Sequence, residues 1–249
     1  MSASVTARRR SCATHFPAFR PDGKRTLGKP ARDNGRVSAF RDRADAGRRL
    51  AARLMETGVD GDVVVLGLPR GGVPVAAEIA AVLGAPLDVI VVRKLGHPDQ
   101  PEYAFGAIGE EDTRVLTGGS RMLSAAQIER VGAAESAELD RRVRRLRGDR
   151  PPVPLTGKTA LIVDDGIATG ATAAAACQVA RARGATKVVV AAPVAPPGAI
   201  TDLADPERLA DEVIAVVTPE TFSAVGSWYD DFSPTTDDEV AVLLSAWTA

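Results

Sequence analysis

Leu161–Thr172 reads LIVDDGIATGAT: an apolar run, two adjacent carboxylates, a loop of small residues, and hydroxyl-bearing residues where a helix can start. An uninterrupted apolar run suits a strand covered on both faces. The small residues then let the backbone turn sharply into the next element. A strand that delivers acids and a glycine loop to its carboxyl end is characteristic of an α/β sheet, in which ligands bind at that end.

Outward from this stretch the same alternation recurs. Upstream, Asp62–Pro69 (DVVVLGLP) supplies a strand, Gly71 and Gly72 a turn, and Val75, Ile79 and Val82 a helical stripe that stops at Gly84. Phe40, Leu50, Leu54 and Met55 mark an earlier helix. The segment 88–92 (DVIVV) reads as a second strand. The turn-rich stretch 93–119 reads as a loop with a hairpin pairing Ala104–Ile108 toward Thr113–Leu116. Ser124 and Gln127 form a capping-box pattern before a long helix presenting Ile128, Val131, Leu139, Val143 and Leu146. The arginines at 141, 142, 144, 145 and 147 suit the negative end of that helix's dipole. Strands are also predicted at 187–192 and 212–217, and a final amphipathic helix at 237–246. The pattern predicts a three-layer α/β fold with a mostly parallel central sheet and helices on both faces.

The chemistry concentrates at the strand exits. Consecutive side chains on extended backbone point opposite ways, so Asp164 and Asp165 do not form a pair acting across one glycosidic bond. They suit the hydroxyls of a sugar diol and a nearby divalent cation, although an Asp-Asp pair alone also reads as a loop start or helix cap. Small residues at Gly166–Gly170 and hydroxyls at Thr169 and Thr172 follow, where unpaired helix amides hold a phosphate monoester without a lysine. A nucleoside-triphosphate P-loop is excluded because no GKS or GKT follows, and the dinucleotide fingerprint GxGxxG is absent. In Gly67–Gly72, GLPRGG, glycine permits close backbone approach and Arg70 offers charge-assisted hydrogen bonds to phosphate oxygens.

Together these two motifs resemble the type I phosphoribosyltransferase family, which binds 5-phosphoribosyl 1-pyrophosphate (PRPP). The resemblance implies a magnesium-dependent transfer of ribose 5-phosphate to a nitrogenous base, purine or pyrimidine unresolved, with release of pyrophosphate. It implies catalytic roles for Asp164, Asp165 and Arg70, with magnesium held by the two acids directly or through water. Ligand contacts are implied for Pro69, Gly71, Gly72, Arg93, Lys94, Gly166, Ala168, Thr169, Gly170, Ala171 and Thr172. Ala168 stands where the family often has a hydroxyl residue, which removes one side-chain contact and leaves the backbone cradle. The stretch from Leu95 to Gly109 corresponds to the family's mobile loop, and His97 stays outside the main set. Phe222, Trp228, Tyr229 and Phe232 are candidates for stacking on the base, although core packing is the preferred reading. The alternative function is a non-catalytic regulatory protein sensing PRPP or a nucleotide on the same fold.

Charge is unevenly spread: residues 1–43 carry 11 Lys/Arg against 3 Asp/Glu, and the rest 20 against 29. Residues 1–36 read as a disordered basic tail and 37–249 as one domain including the C-terminal helix. The acidic remainder argues against a specific nucleic-acid partner. No run reaches the roughly 18 apolar residues of a membrane span. Cys12 and Cys177 alone make neither a disulfide framework nor a Cys-based zinc site, which points to a cytoplasmic setting. The expected partners are PRPP and a small-molecule base, and a homodimer is compatible with the reading.

Overall fold

A computed structural model describes residues 32–33, 36–111, 113–206 and 209–247. The tail expectation for residues 1–31 and 34–35 lies outside the described residues. Arg32–Asp33 (β1) pairs antiparallel with Arg36–Val37 (β2).

Val63–Gly67 (β3), Leu87–Val89 (β4), Thr159–Val163 (β8), Lys187–Val194 (β9) and Glu212–Val217 (β10) form one parallel sheet in the order β10-β9-β8-β3-β4. Along β8, Leu161 and Val163 enter the core shared with Arg43–Thr57 (α1), Gly72–Leu83 (α2), Ala125–Arg147 (α3) and Asp237–Ser245 (α6). Ala160 and Ile162 enter the opposite core, with Ala171–Ala182 (α4) and Pro197–Leu203 (α5). Both faces of the strand are therefore covered, which is why its sequence is apolar at every position after Thr159. The predicted layer architecture is the one observed.

The predicted strand at residues 88–92 is shifted. β4 ends at Val89; Ile90 N still donates to Gly67 O at 3.2 Å, and beyond it buried Val91 and half-buried Val92 leave the sheet. These residues cross to a second, antiparallel sheet formed by Arg93–His97 (β5), Gln100–Ile108 (β6) and Arg114–Leu116 (β7). Their apolarity reflects burial at the crossing, not ladder pairing. The predicted hairpin is present, with Gly106 opposite Leu116 and Ile108 opposite Arg114. Its first partner, β5, lies in the stretch read as loop. Phe105 is buried while Tyr103 is 70% exposed, and Met55 and Val82 also face outward from their helices.

The capping box at Ser124 is formed. The arginine cluster that follows is more than a dipole complement, because several members have individual partners. Arg147 is buried with Asp88 and Glu110, donates to Val89 O, and ties α3 to β4 and to the end of β6. Arg145 reaches Asp237 at 2.8 Å, and Arg142 donates to Pro69 O at 3.2 Å. Among the described residues no helix is long and apolar enough to cross a membrane.

Candidate functional site

The GLPRGG turn and the acid pair meet at adjacent strand exits. β3 and β8 pair in register from Val63/Thr159 to Gly67/Val163, so the residues after each strand start side by side. Leu68 N donates to Val163 O at 2.8 Å. A side chain at Gly72 would strike the Val163 carbonyl and lie 2.9 Å from Asp164 Cα. One at Gly71 would overlap the Asp165 carboxylate. Both glycines are thus required by close approach of one loop to the other. The Pro69–Arg70 peptide is cis.

Beyond β8, Asp164 lines a recess of about 180 Å³ together with Gly166, Ile167, Ala168, Thr169, Gly170, Ala171, Thr172 and Ala173. Seven of the predicted ligand residues, Asp164 among them, therefore share one concavity. Gly170 is the N-cap of α4 at φ +74°, a conformation that favours glycine, and no side chain caps the helix. The first amides of α4 consequently open onto the recess, which suits an anion.

Asp165 sits on the other side of the strand. Its Oδ2 accepts from Arg43 Nε at 2.8 Å, and both side chains are largely buried. Arg43 Nη1 also donates to Ser233 O at 2.7 Å, and its guanidinium lies 4.0 Å from the Phe232 ring centroid. Tyr229 Oη donates to Asp165 O at 2.6 Å. Burial is the main force raising both carboxyls above their ordinary range. It lifts Asp164 to about 7 with help from the Asp165 charge, while Arg43 pulls Asp165 back.

Arg70 is half-exposed and stands 3.8 Å from Asp237 Oδ1, at the start of α6. Arg93 opens β5 and pairs with Glu135 on α3, whereas Lys94 is exposed. Arg142 stands at Pro69 O, within electrostatic range of Arg70 and Arg93. Burial, first of all, and then these like charges hold its pKa below the usual arginine value, against the pull of Asp237. The geometry thus adds Arg43 and Arg142 to the residues read from sequence, and joins Tyr229, named there as a stacking candidate, to Asp165 O through its hydroxyl. Both arginines lie in helices where charge reads as solvated surface, so only tertiary contact distinguishes them. Of the C-terminal aromatics, Tyr229 is buried against Phe40 and near Phe232, which agrees with core packing.

No group of three or more His, Cys, Asp or Glu among the described residues could cage a metal. A hard divalent ion could still use one carboxylate, with substrate and water supplying its other oxygens, and Asp164 at the recess fits that mode.

Comparison with known proteins agrees with this geometry. The model of the phosphoribosyl transferase domain matches residues 35–218. A provisionally named phosphoribosyl transferase of Mycobacterium tuberculosis, Rv0571c of strain ATCC 25618 / H37Rv, is 56% identical over 211 residues, covering 84% of this chain and 47% of that protein. The same figures hold for MT0597 of strain CDC 1551 / Oshkosh. The chain therefore spans about half the length of the curated relatives it matches. The crystal structure of TT1426 from Thermus thermophilus is 43% identical with a TM-score of 0.76, covering 84% of this chain and 99% of that one. The domain match reaches across the parallel sheet and both loops, and on that ground the chain belongs to the phosphoribosyl transferase domain family.

Proposed function

We propose that this domain is a magnesium-dependent phosphoribosyltransferase acting on PRPP and a nitrogenous base. The observation that carries the proposal is the recess at the uncapped α4 N-terminus, with Asp164 on its wall and the Arg70 loop packed against the acid pair. The recess at Ala168–Thr172 takes the 5-phosphate through backbone amides, with Gly166 beside them. The acid pair faces the ribose, and Pro69, Arg70, Gly71 and Gly72 border the pyrophosphate. Arg93 and Lys94 add positive charge on the same side.

In the reaction the bond from the anomeric carbon to pyrophosphate breaks with its electron pair leaving on pyrophosphate. A base nitrogen forms the new bond to that carbon and gives up its proton. Asp164 opposes the positive charge developing on the sugar, and Arg70 the negative charge on the leaving group. Magnesium, when bound, would neutralise pyrophosphate oxygens beside Asp164 and Asp165. A cytoplasmic setting, a small-molecule base as second partner and homodimer formation belong to the same proposal.

Pyrophosphate release over a panel of purine and pyrimidine bases, with magnesium and PRPP, tests this reading. Turnover on one base supports it. Tight PRPP binding without turnover on any base would favour the regulatory alternative, and no PRPP binding would refute both.

A further inference from the structure

One arginine of α3 stands where its helix should be apolar. Arg142 follows buried Leu139 by three residues and precedes buried Leu146 by four, so it shares the inward stripe of the helix, whereas Arg141 and Arg144 are exposed. That stripe carries it to the GLPRGG loop. There Arg142 is half-buried, and its Nη2 donates to Pro69 O at 3.2 Å.

The charges around the loop do not balance. Arg70 stands 3.8 Å from Asp237 Oδ1, but Asp237 already accepts from Arg145 Nε at 2.8 Å. Arg93 is taken up by Glu135. Among the described residues no carboxylate pairs directly with Arg142, and the acceptor it reaches is a neutral carbonyl. Burial first, and then the charges of Arg70 and Arg93, work against its protonated form, with Asp237 alone opposing them. A guanidinium taken partly out of water beside two like charges is under-compensated. An anion at the loop supplies the missing charge.

The loop also separates this cation from the acid pair. Gly71 and Gly72 abut Asp165 and Asp164, while Pro69, at the other end of the turn, meets α3. A sugar at the acid pair and the Arg142 guanidinium thus bracket the loop, in the order in which a sugar and its diphosphate are joined.

Resting on the phosphoribosyltransferase reading, we propose that Arg142 is a pyrophosphate-binding residue supplied by α3, outside both sequence motifs: Nη2 holds the Pro69 carbonyl, and its remaining N–H groups hydrogen-bond the leaving diphosphate. Arg70 and Arg142 then hold one anion from two different elements. The contribution of Arg142 is confined to the pyrophosphate end of PRPP and is absent at the 5-phosphate recess before α4.

The test is calorimetry on the full chain with three ligands, magnesium–PRPP, magnesium–pyrophosphate and ribose 5-phosphate, for the wild type, Arg142→Met and Arg142→Lys. Loss of a charge-assisted hydrogen bond in Arg142→Met should weaken PRPP and pyrophosphate by about 10-fold to 150-fold and leave ribose 5-phosphate unchanged. Arg142→Lys should recover part of that loss, because the charge returns without the fork. Equal weakening of all three ligands, or of none, would overturn the proposal.

A residue that only held Pro69 O would also weaken pyrophosphate on removal, so direct contact is read in the wild type. The Arg142 Nε–H resonance, assigned by its loss in Arg142→Lys, should shift on addition of magnesium–pyrophosphate and stay in place on addition of ribose 5-phosphate. A resonance unmoved by pyrophosphate would overturn the proposal even where Arg142→Met binds weakly. Should Arg142→Met fail to fold, this measurement decides alone. A wild type that binds pyrophosphate but not PRPP would count against the enzyme reading, and the same resonance would still decide the role of Arg142; a wild type that binds neither would refute both.

Discussion

Replacing Asp164 with Asn should stabilise the free protein, and the gain should grow with pH. Asp164 shares its surroundings with a second carboxylate, and burial and that neighbour raise its pKa from 3.8 to about 7. Between those values the folded state keeps a proton that the unfolded chain has released. Wild-type stability therefore falls as pH climbs through this window and levels off above it. Asparagine has no proton to lose, and its amide oxygen can still accept from Asp165 N, which lies 2.9 Å from Asp164 Oδ1. At 1.36 kcal/mol per pH unit, the interval from 3.8 to about 7 corresponds to about 4 kcal/mol. Asp164 is only partly buried, and water at the recess mouth screens some of this. The expected advantage of the variant is on the order of 2 kcal/mol at pH 8, shrinking toward zero near pH 4. Urea unfolding of both proteins, followed by tryptophan fluorescence from pH 4 to 8.5, measures the difference, with unchanged denaturant slopes as the control. A difference independent of pH, or a variant less stable than wild type at pH 8, would refute the assignment. The same substitution should weaken PRPP binding, so a stabilised variant that binds poorly is the combined signature of a functional acid held at a cost in stability.

Other perturbations probe the frame around the site. Gly71→Ala should weaken PRPP binding about 10-fold or more by calorimetry, because the added methyl overlaps a carboxylate that Arg43 keeps from moving aside. Arg147→Met should cost about 3–5 kcal/mol in urea unfolding, since it strands Asp88 and Glu110 in a buried place; adding Glu110→Gln should recover part of the loss. Tyr229→Phe removes the donor to Asp165 O and should cost about 1 kcal/mol in the same assay. Cys177 is buried, and its thiol is pushed up to about 12, first by that burial. In a Cys12→Ser background an aromatic disulfide reagent should label it only after unfolding, and rapid labelling of the native protein would contradict its placement.

The parallel sheet was legible because burial on both faces leaves a mark in sequence: four of its five strands are near-continuous apolar runs ended by a turn or an acid. The same rule misled at Val91 and Val92, which are apolar because they pack at the crossing between two sheets, beyond the last ladder bond from Ile90 N to Gly67 O. The phosphate recess was legible because its ligands are backbone amides and small residues in one short stretch, so spacing alone assembles it. The opposite directions of Asp164 and Asp165 follow from strand alternation as well. What alternation does not supply is the destination of Asp165. That depends on Arg43, at |i−j| = 122, and on Ser233, at |i−j| = 190 from Arg43, neither belonging to a local pattern. A charged residue early in a helix reads as solvated until the fold puts a carboxylate behind it. The Arg43–Asp165 pair therefore emerges only from the topology, in which α1 begins at the same end of the sheet where β8 exits and the C-terminal segment returns to close the gap. The two motifs state which ligand chemistry the site can perform, and the distant contacts fix how its second carboxylate is held.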